Sequence, residues 1–368
     1  MNLNYSDEQQ MLRDQVQKFC ESDYSFNKRE EILKSELGYD ADLWKLFSEL
    51  GWLSLPFSEK NGGFGYGPVE LSVLFEEFGK VLIVEPYLST IVLSGTILDK
   101  SNYANSASLL EEITSGSSQI SLAYLEDGSK NDHTSTNSNL SKSDIGYVLN
   151  GTKGLVLNGG NADRFIVSAK KDAELTLLIV DADTKGISVN TYPTIDGQSC
   201  AEITFENVDI AESNIIASGL EAVELLDNTI SLATLCISAE SIGCMTACYL
   251  KTVEYTKGRE QFGQPISNFQ VLQHKMVDMF IESEVCKSLL FKAMLECESD
   301  AETKFKSVSA LKAQIGKSGK AVAQDAVQLH GGMGVSDEMS IGHYLKKLIA
   351  IDALFGNSNY HLTKYSQL

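Results

Sequence analysis

Proline is scarce in this chain: there are five in 368 residues, and Pro265 is the only one after Pro193. With a single helix breaker from Thr194 onward, three or four long helices fit, with breaks near Gly258, Gly263 and Gly331. Positive charge is also in short supply. Thirty Lys and Arg stand against 50 Asp and Glu, a net charge of −20. Nucleic-acid binding needs a basic footprint and is excluded on that balance, and anionic membranes are disfavoured. No basic segment followed by an apolar one opens the chain, and no apolar run is expected to span a membrane, so the expected location is cytoplasmic. The seven cysteines lack CxxC or Cys/His ligand spacing. They read as reduced, mostly buried thiols with no metal site. Cys244 and Cys248 share a helix face, but no histidine is near, so core packing accounts for them. Dinucleotide and phosphate-loop motifs are missing too. Gly63-Phe64-Gly65-Tyr66-Gly67 is not GxGxxG, and Gly332-Met333-Gly334 follows a helical pattern rather than a strand.

What is present falls into three consecutive stretches. In the first, Leu43, Leu46, Phe47 and Leu50 recur at helical spacing, and so do Leu71, Leu74, Phe75 and Phe78. Gly62 to Gly67 reads as a turn, with Pro68 placed to start the next helix. From Gln119 the period changes. Short β-rich runs appear at Ile120 to Tyr124, Tyr147 to Leu149, Phe165 to Val167, Leu175 to Val180 and Ile203 to Phe205, as in an antiparallel sheet or barrel. The polar tract Asp127 to Ser143 is long for a hairpin and reads as a mobile surface loop. After Ile215 the pattern is helical to the end. The expected fold class is α+β, divided as 1–118 helical, 119–214 β and 215–368 helical.

Two glycine-containing breaks carry polar side chains between the last helices. One is Arg259-Glu260-Gln261-Phe262-Gly263-Gln264-Pro265-Ile266, the other Gln328-Leu329-His330-Gly331-Gly332-Met333-Gly334. A helix start exposes backbone N–H groups that suit phosphate. By spacing alone, a cap and turn is the favoured explanation of these breaks. His274 and His330 read as core or interface histidines.

Arg259-x-x-Phe262-Gly263-x-Pro265-Ile266, then Phe269-Gln270 and Gln273, then Gln328 to Gly334, resemble the C-terminal signature of the acyl-CoA dehydrogenase family. Ser6 to Leu12, Leu50-Gly51-Trp52 with Gly62 to Gly65, and Glu77-Phe78-Gly79 are similar to its earlier elements, so the resemblance covers nearly the whole chain. It implies an N-terminal helical domain, a central β-barrel or sheet domain and a C-terminal four-helix bundle around FAD. It also implies acyl-CoA as substrate and an electron-transfer flavoprotein as acceptor. In that family a glutamate takes the α-proton of the thioester, the β-hydrogen leaves as hydride to the flavin, and each FAD straddles two subunits. The residues lent to the neighbour's FAD are intact here. Arg259 would meet the pyrophosphate, Gln261 and Phe262 would flank it, and Gln328, Gly331 and Gly332 would present an amide and bare backbone.

The elements that serve a flavin ring are not intact. Phe355 stands where the resemblance places the base, in Ala353-Leu354-Phe355-Gly356-Asn357-Ser358. Some members place the base on the helix before the Arg motif, a register that here falls near Ala233, with Asp227 and Glu240 out of step. The Trp-x-Thr beside the ring corresponds to Leu155-Val156-Leu157, and the Thr-Glu element to Leu125-Glu126. Phe cannot abstract a proton and Leu cannot hydrogen-bond a ring. This pattern resembles the smaller subunit of heteromeric α2β2 acyl-CoA dehydrogenases of bacterial steroid side-chain and dicarboxylate breakdown, carried also by Gly151-Thr152-Lys153, Asn158, Asp163-Arg164 and Leu354 to Leu362. Two alternatives stand beside it: a homotetrameric enzyme with Glu240 as base, and a catalytically silent interaction module.

Overall fold

The computed structural model describes residues 5–129, 131–144 and 146–368. Helices α1 (Asp7–Ser22), α2 (Phe26–Lys34), α3 (Ala41–Glu49), α4 (Pro68–Val81), α5 (Thr96–Lys100) and α6 (Ser106–Thr114) come first, with a π-helical segment Leu88–Gly95 leading into α5. Their starts are written in the sequence. Ser6 and Gln9 form a reciprocal capping box on α1, and the Asp40 carboxylate accepts from Asp42 N and Leu43 N at α3. Pro68 opens α4 as expected, and the stripe Leu71, Leu74, Phe75 and Phe78 is buried. On α3 the buried side chains are Trp44 and Phe47.

Strands β1 (Ile120–Ala123), β2 (Asn139–Ser143), β3 (Gly146–Leu157), β4 (Arg164–Lys171), β5 (Glu174–Asp181), β6 (Ile187–Pro193), β7 (Ser199–Ile210) and β8 (Ile215–Ser218) form one sheet in the order β6-β7-β3-β2-β4-β5-β8, with β1 also pairing β4. The sheet is mixed rather than antiparallel throughout: β1 and β2 both run parallel to β4. Its apolar face is packed by Phe165, Val167, Leu178, Ile203 and Phe205. Long helices follow: α7 (Leu220–Gly258), α8 (Gln270–Leu295), α9 (Ala301–His330), α10 (Ser340–Ala353) and α11 (Ser358–Gln367). One stretch of α7 has the length and composition of a membrane span, contrary to the expectation that none would. However, 89% of that stretch is buried inside the structure, as in a core helix.

By packing, the chain forms two compact units. One comprises the chain to Glu31, Pro68–Ile83 and Thr234–Leu368, and the other Ile32–Gly67 and Val84–Ala233. In the first, α4 and α7 cross with backbones touching. A Cβ on Gly79 would stand 2.0 Å from Glu240 O, and one on Gly243 1.9 Å from Glu76 O, so only glycine fits at either place. Arg13 bridges the buried Glu76 and Glu77 beside that crossing.

In the second unit a buried ion pair organises the polar tract. Lys153 is fully buried, and its Nζ donates to Glu126 Oε1 (2.7 Å), Thr136 Oγ1 (2.9 Å) and Ser168 Oγ (3.1 Å). Glu126 also accepts from Asn137 N (2.6 Å), Ser138 N (2.9 Å) and Ser138 Oγ (2.7 Å). The tract expected to be a free loop is therefore tied down: Thr136 and Ser138 are buried, and Asn139–Ser143 is a strand. Lys130, within the same tract, lies outside the described residues.

Burial opposes ionisation of Glu126, but the hydrogen bonds from Lys153, Thr136, Ser138 and Asn137 outweigh it and hold the carboxyl at about 2. Burial pushes Lys153 down to about 8, against the pull of Glu126. Removing one member of such a pair leaves an uncompensated buried charge, which costs roughly 3–5 kcal/mol. Glu126→Gln is thus expected to lower the urea midpoint sharply, while Glu126→Leu with Lys153→Met recovers most of the loss. An unchanged midpoint for the single variant would show that the pair does not organise this unit.

Candidate cofactor site

At the end of α7 the chain turns through a two-strand hairpin, β9 (Glu260–Gln261) and β10 (Gln264–Pro265). Phe262 (φ 55°) and Gly263 (φ 80°) occupy its two central positions, the positive-φ pair that a tight hairpin needs. The hairpin is locked at its base, where Arg259 N donates to Tyr255 O (2.9 Å) and Ile266 N to Arg259 O (2.8 Å). Arg259 and Gln261 are exposed, and Phe262 is 91% exposed, meeting Phe269 edge-on at 6.1 Å.

The second glycine break stops α9. Gly331 takes φ 60°, ψ −141°, and space beside both Gly331 and Gly332 is open, so their backbone is approachable. Gln328 is exposed on the last turn. Between these residues, His330 is buried and stacks on Tyr255 at 4.2 Å and 24°, while Tyr255 Oη donates to His330 O (3.4 Å). Burial lowers the His330 pKa, and the neutral ring donates from Nδ1 to Ala326 O (2.8 Å). Because Tyr255 lies four residues before Arg259, the stack joins the end of α7 to the end of α9. Two motifs some seventy residues apart in sequence therefore belong to one surface. His274, by contrast, is exposed on α8.

The residues expected beside a flavin ring are of another kind. A register shift in β3 between Lys153 and Val156 turns both of those inward, leaving Leu155 and Leu157 half-buried on the other side. Glu126 is fully engaged in the knot described above. Phe355 has left-handed backbone (φ 59°) and is 9% exposed. Its turn is clamped by Lys312, whose Nζ donates to Asp352 O (3.0 Å) and Gly356 O (2.8 Å), and by His361 Nε2, which donates to Phe355 O (3.0 Å). Asp352 accepts from Ser358 N, Ser358 Oγ and Lys320 Nζ. Glu240 is buried and ion-paired with Lys347 at 2.8 Å.

Sequence reading passed over Tyr255 and Lys312. The only trace of Lys312 is a lysine inside an apolar helical run, between Leu311 and Ala313.

Three family models tile the chain: the acyl-CoA dehydrogenase N-terminal domain over residues 6–124, the middle domain over 121–208 and the C-terminal domain over 223–366. The chain belongs to the acyl-CoA dehydrogenase family, FAD-dependent oxidoreductases with a helical first domain, a central sheet and C-terminal helices. It is similar to the mitochondrial isovaleryl-CoA dehydrogenase of Solanum tuberosum, 27% identical over 96% of this chain and 88% of that protein. Among solved structures it is similar to a variant of the Tcur3481-Tcur3483 steroid ACAD, at 26% identity and TM-score 0.89 over 98% of this chain and 97% of that one. Its fold also matches a chain of the ChsE4-ChsE5 complex from Mycobacterium tuberculosis, at 24% identity and TM-score 0.90, covering 100% and 98% of the two chains.

Against FAD, the donor set divides in two. Arg259, the Gln328 amide and the open Gly331-Gly332 backbone fit a pyrophosphate and its nucleoside. The side chains of Leu155 and Leu157, and separately of Phe355, at the positions the resemblance sets beside a flavin ring and at the base, carry no hydrogen-bonding group.

Burial pushes Lys312 down to about 7, with Asp352 raising it and Lys320 lowering it. An unfolded lysine keeps its proton to about 10.5, so the unfolded chain binds the extra proton between those values. Lys312 therefore makes stability rise with pH from about 7 to about 10, by on the order of 1 kcal/mol per unit. Urea midpoints at pH 6, 7.5 and 9 are expected to climb in the native chain and to climb less in Lys312→Met. Equal slopes would contradict this assignment.

Proposed function

We propose that this chain is the FAD-clamping subunit of a heteromeric acyl-CoA dehydrogenase. It covers the ADP part of an FAD whose ring lies against a partner subunit, and the partner supplies the base. The observation carrying this reading is the asymmetry of the donor set. The exposed half, Arg259, Gln261, Phe262, Gln328, Gly331 and Gly332, is complete, and the half that would serve a ring on this chain is apolar. A surface lent to another subunit stays exposed in the isolated chain, and this one does.

Bound FAD supplies a hydride acceptor in this family. The chain's own contributions are a guanidinium fork for the pyrophosphate, a rigid hairpin that fixes its position, and an aromatic side chain that excludes water beside it. The likeness to the Tcur3481-Tcur3483 steroid ACAD, whose name joins two components, supports pairing with an unlike subunit and a bulky acyl-CoA substrate. An α2β2 assembly and an electron-transfer flavoprotein as acceptor are part of the same proposal. The competing reading makes Glu240 the base of a homotetramer. Its carboxylate is buried with Oε1 2.8 Å from the Lys347 ammonium, as in a structural ion pair.

Co-purified with the partner subunit, the native chain is expected to hold FAD, and Arg259→Met to hold less than about a tenth as much, in line with the loss of a charge-assisted bidentate contact. Arg259→Lys keeps part of it, and Leu155→Ala changes nothing. FAD lost with Leu155→Ala but kept with Arg259→Met would reverse the proposal.

A further inference from the structure

Acids outnumber bases by 50 to 30 along the chain, and one seam reverses that balance. The first ten residues of α9 and the ten of α11 hold Lys304, Lys306 and Lys364 against a single acid, Glu302. The lysines are laid over aromatic rings, two of them across the seam. Lys364 Nζ, on α11, stands 5.6 Å from the ring centroid of Phe305 on α9, and Lys306 Nζ, on α9, 5.5 Å from that of Tyr365 on α11. Lys304 Nζ lies 5.0 Å from the same Phe305 ring, so one ring faces two ammonium groups. A ring quadrupole holds an ammonium in place without cancelling its charge. The acids next in sequence are spent elsewhere. Asp300 accepts from Thr303 N (3.0 Å) and Thr303 Oγ1 (2.8 Å), and Glu296 from Ser307 Oγ (2.5 Å). Among the described residues, neither Lys306 nor Lys364 forms a salt bridge. The gathered charges repel one another, and an anion placed among them is attracted by all three.

We propose that this seam binds a nucleoside triphosphate, with its phosphates on Lys306 and Lys364 and its base against Tyr365. Tyr365 is 43% exposed and Leu362, three residues before it, 57%, so an aromatic ring and an apolar flank lie open beside the charge. A base stacks on such a ring whatever its identity. Ammonium groups on flexible stems suit a run of phosphates, which they meet as point charges. The field selects size as well as sign. At moderate salt a charge is felt over about 8–10 Å, so a small anion sits wholly within reach of the lysines. An acidic protein or a nucleic acid extends beyond them into the field of a chain of net −20 and is repelled. The inference does not rest on the flavin reading. α9 begins at the seam and ends beside Gly331, and at 1.5 Å per residue the seam and the clamp are about 35 Å apart.

Equilibrium dialysis of the full chain against ATP, and separately against tripolyphosphate, tests it. The native chain is expected to bind ATP with a submillimolar dissociation constant and tripolyphosphate more weakly, both losing affinity as salt is added. Lys306→Gln with Lys364→Gln is expected to weaken both ligands about tenfold or more. Tyr365→Ala is expected to weaken ATP about tenfold and to leave tripolyphosphate unchanged, since only the nucleotide has a base to stack. Arg259→Met leaves ATP binding unchanged, which separates the seam from the clamp. A native circular dichroism spectrum for each variant shows that folding is intact. A native chain that retains no ATP at millimolar concentration overturns the proposal, and so does ATP binding that survives the double lysine variant. ATP binding lost with Arg259→Met overturns it by assigning the nucleotide to the clamp. Tripolyphosphate bound as tightly as ATP, or polyglutamate bound in preference to it, overturns it in favour of a bare anion or an acidic protein. FAD content, read separately on the same samples, reports on the clamp.

Discussion

The surface shared by the ends of α7 and α9 depends on one contact, the stack of Tyr255 on His330. Arg259 follows Tyr255 by one helical turn, and Gln328, Gly331 and Gly332 surround His330. Without the stack, the hairpin after α7 and the break after α9 would be two unrelated loops. With it, a guanidinium, an amide and bare backbone share one rigid surface, and burial keeps the imidazole neutral and flat against the phenol ring. A cofactor held through phosphates needs that kind of preorganisation, because an arginine on a mobile loop would lose much of its binding energy to ordering.

Within each unit, buried polar groups are turned toward each other. Glu126 spends its oxygens on Lys153, Thr136, Asn137 and Ser138. Glu240 is paired with Lys347. Lys312 and His361 hold carbonyls of the turn that presents Phe355. These carboxylates and amines remain in the interior because each one satisfies another. Half-satisfied polar groups in an interior are costly, and here the partners are supplied.

Much of this was legible in the sequence. Proline scarcity announced the long helices, and the turn residues of the hairpin and the glycines after His330 marked the breaks at the ends of α7 and α9. Strands with continuous apolar runs, such as Leu175 to Val180, stood out. β2, β6 and β8 did not. β2 is polar, while β6 and β8 lie at the ends of the sheet order, and exposed edges need no alternation of apolar residues. The polar tract before β2 read as a free loop because the ion pair that anchors it joins Glu126 to Lys153, and no local pattern encodes a contact across that distance. The same reason hid Tyr255 and Lys312, whose roles exist only once α7, α9 and the Phe355 turn have been brought together. The apolar stretch of α7 escaped notice as well, since scattered polar residues interrupt it and its burial is a tertiary fact.

The most direct measurement is the FAD-to-chain ratio, read from the flavin spectrum of the purified chain alone and of the chain with its partner subunit. A clamping subunit is expected to be colourless alone and to hold one FAD per pair in the complex. One FAD per chain in the isolated protein would contradict it, because a ring would then be held by a face that offers it only leucine and phenylalanine.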